Sequence, residues 1–367
     1  MSEMDKNGYQ ATILYVVCHM GLIFFLYPSD MFSGMDMGHW IGISISYALH
    51  AAALYMYMKG LKWAAQRNVV DMFRSTGKYL AWILLLPAFF YFGIAIIVTL
   101  RAYSEMLTLV FLSTTPLWAV QLLLIAIGFL MAWQGMSSMA RTGVLLVVLF
   151  MFPILFVLCL GFQNVDWYYL LPVIDPEQTL HFLAKPDFLV SLFVYAGGSF
   201  FLGLLPPSIH ISIKKMMLGC LLLLPMFFLS VYLPLLTFGQ ATAELYQFPM
   251  LMTIDTVNIT WLLFDRITIF FLLSLMAFAL LYLGVTLWVL VTLTKEAIPK
   301  IPKIYLLIVL TAGLFAISLA IPNWNSLKNL QVWIIPLRMY IFLVLPLITF
   351  LIGWRHKHKA NRATEVT

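Results

Sequence analysis

The chain has 367 residues, of which 63% are hydrophobic and only 10% charged; its net charge is +6 and its mean hydropathy +0.98. A soluble domain of this length is about half apolar and a quarter charged, so the composition excludes a water-soluble fold and specifies a polytopic membrane protein. The basic residues are dispersed and face no aromatic groove, which argues against a nucleic-acid partner.

The start, MSEMDKNGYQ, is polar and acidic, without the basic region and small-residue cleavage site of a secretory signal. The first apolar segment is therefore expected to stay in the mature protein. Spans need about 20 mainly apolar residues. That rule predicts ten, over 11–29, 38–58, 79–101, 117–136, 143–162, 188–205, 216–238, 262–294, 304–321 and 331–354. The eighth is too long for one perpendicular crossing. Cys18, Cys159 and Cys220 fall inside spans with no CxxC pattern and read as core residues, not disulfides or ligands.

Lys and Arg concentrate on the cytoplasmic side of a membrane. With a cytoplasmic N-terminus, the inner segments hold Lys6, then Lys59 to Lys78, Arg141, Lys214 and Lys215, Lys295 to Lys303, and Arg355 to Arg362. The outer side keeps only Arg101, Lys185, Arg266, Lys328 and Arg338. This asymmetry places both termini in the cytoplasm. The longest outer connections, 163–187 and 239–261, are where an external partner would dock. The tail WRHKHKANRATEVT would be attracted by anionic lipid. The chain reads as a single transmembrane domain over 1–367: one five-helix repeat over 1–162, a second over 187–354, and a basic tail over 355–367.

An all-α integral membrane protein of ten transmembrane helices invites a 5+5 inverted repeat, in which broken helices at matching positions mark the binding site. The first span contains VVCHMGLIFFLYPSD (16–30) and the sixth FVYAGGSFFLGLLPP (193–207). Both run apolar, reach glycine, read Phe-Phe-Leu and stop at proline, so helices 1 and 6 are expected to be discontinuous. The other reading of a membrane glycine is close packing of intact helices, which suits Gly38 and Gly42. An unwound turn exposes N–H groups to a carboxylate and C=O groups to an ammonium, the two ends of an amino acid. On that basis the candidate ligand site comprises His19, Gly21, Tyr195, Gly197, Gly198, Ser199 and Phe200, at and beside the two breaks.

Individual residues leave alternatives. His19 beside Gly21 is either a ligand group or a neutral ring bonded to a freed carbonyl. His50 reads as structural. Arg101 and Glu105, four apart, read as an ion pair at the outer end of the third span, and Arg141 as an anchor of the fifth. Tyr282 and Thr286 share a face of the eighth span, as Tyr195 and Ser199 do on the sixth. There is no GxxxxGK[ST], HExxH or GxSxG, and STGK (75–78) lacks the leading glycine of a phosphate loop. No enzyme activity, metal site or cofactor is therefore expected. Asn258-Ile-Thr260 fits a glycosylation sequon, a pattern frequent by chance. The fifth span has no Lys or carboxylate to relay protons.

The run LRAYSEMLTLVFLSTTPLW (100–118) followed by GMSSMAR (135–141) resembles the spore-germination receptor B subunits. So do Gln10, LLPV (170–173) and FPMLMTIDTVNI with Asp265-Arg266. The resemblance implies the ten-helix fold of the amino acid/polyamine/organocation transporter superfamily, whose geometry would aim the face of Tyr282 and Thr286 at the broken helices and let Val98 close the pocket from the third span, adding these three to the candidate ligand site. It also implies residence in the endospore inner membrane and partnership with A and C subunits in a receptor for a nutrient germinant. The chain departs from the family at Asp255, at His19 and Met20, and at Ser199 and Phe200, which bears on ligand identity more than on fold. The leading expectation is a sensor that binds a small nutrient, an amino acid, at mid-membrane. An ion-coupled or facilitated amino-acid permease is the alternative, and a scaffold with a vestigial pocket the third reading.

Overall fold

The computed structural model describes residues 3–64, 68–173, 180–206, 209, 211–257 and 267–365, and among these there is helix and no strand. The Asn258–Thr260 sequon, Asp265 and Arg266, Pro207 and the start of the eighth predicted span lie outside the described residues.

The first pass is broken. Helices α1 (Glu3–Ile23) and α2 (Tyr27–Gly34) meet at 56° across a three-residue turn. Gly38, at φ +65°, opens α3 (His39–Trp63). The side chain of Asn68 accepts the Val70 N–H and caps the short α4 (Val69–Arg74). Next come α5 (Lys78–Val110), α6 (Leu117–Gln134) and α7 (Met136–Leu160). The third pass extends two further turns beyond the predicted end at 101, so Arg101 lies within a helix rather than at its end. Gly135, at φ +86°, alone separates α6 from α7. The segment GMSSMAR is thus the first two turns of a helix, not a connecting loop.

The sixth pass is broken more thoroughly than the first. It comprises α8 (Pro186–Ser191), a 3-10 turn at 192–194, an irregular stretch around Gly197, and a 3-10 segment at 200–204. Beyond it lie α9 (Ile213–Phe238), α10 (Gln240–Ala243), α11 (Pro249–Asp255), α12 (Thr268–Ala297), α13 (Lys303–Ala320) and α14 (Trp324–Trp333). The tenth pass is α15 (Ile335–Met339), a π turn at Tyr340–Val344, and α16 (Leu345–Glu365). Pro346 has no N–H to return to the Phe342 carbonyl, and the helix widens there.

Among the described residues eight helices are long and apolar enough to cross a membrane, nine with the bent first pass; the broken segment over 186–204 stands beside them as a further pass of the 5+5 arrangement. Helix α12 is the centre: it packs on α1, α5, α6, α7 and α13 and is the most buried of the long apolar helices. Lipid-facing positions on α5, α7 and α13 carry Ile83, Val148, Phe152 and Val309 exposed, as bilayer contact permits. The half-helices α2 and α8 pack on each other, which brings the two broken passes together.

Candidate functional site

The first break lies one turn later than the glycine that signals it. Gly21 is inside α1, and the turn is Phe24–Leu26. A Cβ on Gly21 would lie 2.8 Å from the Ala279 nitrogen and the Phe278 carbonyl carbon. Gly21 therefore lets α1 and α12 touch backbone to backbone, the close-packing role that the sequence reading gave to other glycines. The break frees its carbonyl instead. The Phe25 N–H turns to Leu22 O at 3.2 Å, and the Tyr103 hydroxyl donates to Gly21 O.

At the second break the same device recurs. Tyr91 Oη donates to Ala196 O at 3.0 Å, and Tyr57 Oη donates to Phe200 O at 3.0 Å. Buried carbonyls at bilayer depth must find donors, and tyrosine brings a hydroxyl on an apolar body. Gly197 has φ +82°, and a Cβ there would lie 2.9 Å from the rings of Tyr91 and Phe92; only glycine fits. Phe200 packs against Phe92, ring centroids 5.1 Å apart. The Ser199 carbonyl accepts the Leu202 N–H within the 3-10 segment.

Sequence reasoning missed the three tyrosines. A hydroxyl on an otherwise apolar span is a signal that a buried acceptor awaits it, but which carbonyl it reaches depends on the fold. Tyr57→Phe and Tyr91→Phe are each expected to destabilise the protein by about 1–3 kcal/mol, since each strands a buried carbonyl. Thermal unfolding of the purified variants in detergent checks this, with exposed Tyr305→Phe as the unaffected control.

The two broken passes meet at His19, inside α1, and Gly198. His19 is fully buried, and its Nδ1 lies 2.8 Å from Tyr15 O. A carbonyl only accepts, so Nδ1 carries the proton, and in the neutral ring Nε2 is an acceptor. That Nε2 has no protein partner. It faces Gly198, where a Cβ would lie 2.5 Å from His19 Cε1 and 2.8 Å from Nε2. Behind it, His50 Nε2 and Tyr15 Oη are 2.5 Å apart, and the two imidazoles lie 5.2 Å apart. Tyr195 stacks between Phe227 at 4.6 Å and Phe342 at 5.9 Å, and its hydroxyl is 3.2 Å from that of Tyr27.

The remaining candidates divide. Val98 and Thr286 are buried, and the Thr286 hydroxyl returns to the carbonyls of Tyr282 and Leu283 on its own helix. Tyr282, with Cys18, Tyr91 and Tyr103 as electrostatic neighbours, has a buried hydroxyl without a partner. Arg101 pairs with Glu105 at 3.4 Å and reaches Pro322 O, away from the breaks. The largest correction is Arg338. The charge count assigned it to the outer side without a partner; the structure buries it fully in the tenth pass, where it donates to Leu189 O at 2.9 Å and Gln331 O at 3.3 Å. Among the described residues no cluster of His, Cys, Asp and Glu is dense enough to hold a metal ion.

Access differs on the two faces. On the face away from the termini, Phe248, which leads into α11, stacks on Phe25 at 5.4 Å and meets Trp324 edge to face at 5.6 Å, and Phe25 stacks on Tyr103 at 3.9 Å. This aromatic column covers the first break. On the face of the termini a cavity of about 400 Å³ reaches Leu202 and Gly203 of the sixth pass, and Lys62 and Lys214 are among the residues that line it.

Comparison with known proteins agrees with this architecture. The chain is 24% identical over 372 residues to spore germination protein KB of Bacillus subtilis (strain 168), covering 97% of this chain and 96% of that one. Its fold is similar to MhsT, solved in complex with L-phenylalanine (TM-score 0.63, 12% identity, 94% of this chain and 98% of that one). It is equally similar to a manganese transporter of Eremococcus coleocola, solved with an aromatic bis-isothiourea compound (TM-score 0.63, 12% identity, 97% of this chain and 87% of that one). Both neighbours are transporters built on the 5+5 inverted repeat. Residues 7–326 match the spore germination protein family over most of the chain, and the chain belongs to that family of multi-pass, transporter-like membrane proteins.

Proposed function

We propose that this protein is the nutrient-sensing membrane subunit of a spore germinant receptor, binding an amino acid where the two broken passes meet. The observation that carries the reading is the buried, unpartnered Nε2 of His19 against Gly198. A neutral acceptor at that depth suits the ammonium of a zwitterion. The germination family supports the role, and the L-phenylalanine held by the neighbour MhsT supports the ligand class. Binding would shift the balance between two arrangements of α2 and α8, which requires differential affinity for the two. Inverting a 1:99 population needs about a 10⁴-fold difference. A and C subunits would receive the change through the outer connections 163–187 and 239–261. The Lys and Arg asymmetry supports termini on the spore-core side of the inner membrane. No catalytic role is proposed.

A second reading, an amino-acid permease, is favoured by the transporter fold and by the cavity open on the face of the termini. Purified protein in nanodiscs and in proteoliposomes separates the two. The sensor reading expects saturable amino-acid binding with no accumulation inside proteoliposomes. Accumulation would establish the permease. Absence of binding, with partner subunits lost when the chain is deleted, would leave a scaffold.

A further inference from the structure

We infer that Arg338 is the receptor for the ligand's carboxylate, so that the ligand is an amino acid with a free carboxylate and not a neutral sugar. This rests on the reading that the breaks bind a ligand, and it adds a residue and a charge requirement to it.

An arginine is charged at every accessible pH, and an ionised side chain at bilayer depth marks function unless it is neutralised. The Arg338 side chain is fully buried. Its two terminal nitrogens donate to Leu189 O and Gln331 O, and its plane sits over the Phe193 ring with the guanidinium carbon 5.8 Å from the centroid. These contacts are carbonyl dipoles and a ring face. The Nε has no partner, and no carboxylate among the described residues lies within ion-pair distance. Asp30 on α2, also buried, is within electrostatic reach but forms no ion pair. A buried guanidinium is stabilised far more by a carboxylate than by carbonyls, because it can present two parallel donors to one anion.

Its position ties it to the junction. Arg338 stands one turn from Phe342, whose ring lies on Tyr195 at 5.9 Å and on His50 at 6.3 Å. Phe193, under the guanidinium, is two residues before Tyr195. Tyr282, whose hydroxyl is likewise unpartnered, is another electrostatic neighbour. Two unpaired donors, Arg338 Nε and Tyr282 Oη, therefore flank the same broken passes as one unpaired acceptor, His19 Nε2. That set complements a zwitterion. The backbone alone is a poor anion site here: Pro28 removes an N–H from the first turn of α2, and only a short 3-10 segment follows the second break.

The test uses the full chain in nanodiscs and the standard L-amino acids, each paired with its α-carboxamide. Wild-type protein is expected to bind at least one acid with about 10- to 100-fold preference over its amide, the range of a hydrogen bond to a charged group. Arg338→Gln is expected to lose that preference, and Arg338→Lys, which replaces two parallel donors by one point charge, to lose part of it, about 10-fold. A merely structural arginine would lower thermal stability in both variants and leave the preference alone. Equal binding of acid and amide by the wild type overturns the inference while leaving the ligand site standing. A preference that survives Arg338→Gln overturns it too. Binding of no acid and no amide overturns both this inference and the ligand-site reading. Should Arg338→Gln fail to fold, the wild-type discrimination and the Arg338→Lys comparison still decide.

Discussion

Gly21→Ala is expected to destabilise the protein by about 3 kcal/mol or more, the upper end of what one added methyl does to a packed core. The added Cβ would lie 2.8 Å from the Ala279 nitrogen and from the Phe278 carbonyl carbon, and 3.0 Å from the Ala279 Cα. All three are backbone atoms of α12. A side chain can rotate away, but here α1 must move off α12 as a body. That motion would also pull Gly21 O from the Tyr103 hydroxyl and disturb the Phe25–Tyr103 stack. The thermal unfolding midpoint in detergent measures the effect. An unchanged midpoint would mean that the two helices slide freely, and the close-packing account of Gly21 would have to be given up.

Gly198→Ala is expected to do the opposite: a modest stability loss, below about 2 kcal/mol, with ligand binding weakened about 100-fold or more. The atoms met by the new methyl belong to the His19 ring, the far end of a side chain. Gly198, unlike Gly197, is not among the positive-φ glycines, so its backbone accepts alanine. The ring can turn aside, but only by breaking the Nδ1–H bond to Tyr15 O and withdrawing Nε2 from the junction. The double variant His19→Ala, Gly198→Ala restores the room without the acceptor. It should bind as poorly as Gly198→Ala if the acceptor matters, and should recover if the methyl simply fills space. Calorimetric titration on both variants reads the difference, and recovery would remove His19 from the proposed site.

The two glycine substitutions show what was legible in the sequence and what was not. Gly21 and Gly198 look alike in the chain: each sits in an apolar run before Phe-Phe-Leu and proline. One packs against the backbone of a neighbouring helix, the other against an imidazole. No local pattern distinguishes them, because the neighbours of Gly21 come from a helix more than 250 residues away. His19 was legible as an ionisable group inside a span, but its tautomer followed only from the Tyr15 carbonyl beside it. The burial of Arg338 was missed for a related reason. Near the end of an apolar run a charge count only assigns arginine to a side, yet here the pass begins with the short α15 and carries the residue into the core.

Membrane class, ten passes and interruptions in the first and sixth follow from residue order, because hydropathy, chain length and Gly or Pro placement are local properties that bilayer physics reads directly. The paired interruptions in the two halves likewise pointed to the two passes that the fold breaks. The position of the first break, one turn past its glycine, was decided by packing of α1 on α12. The capping of three freed carbonyls by Tyr57, Tyr91 and Tyr103, and the approach of His19 to Gly198, are contacts between segments far apart in the chain. A broken helix can be read as a lack of local helix propensity; the groups that satisfy it, and those left unpartnered, depend on which other helices the fold sets beside it.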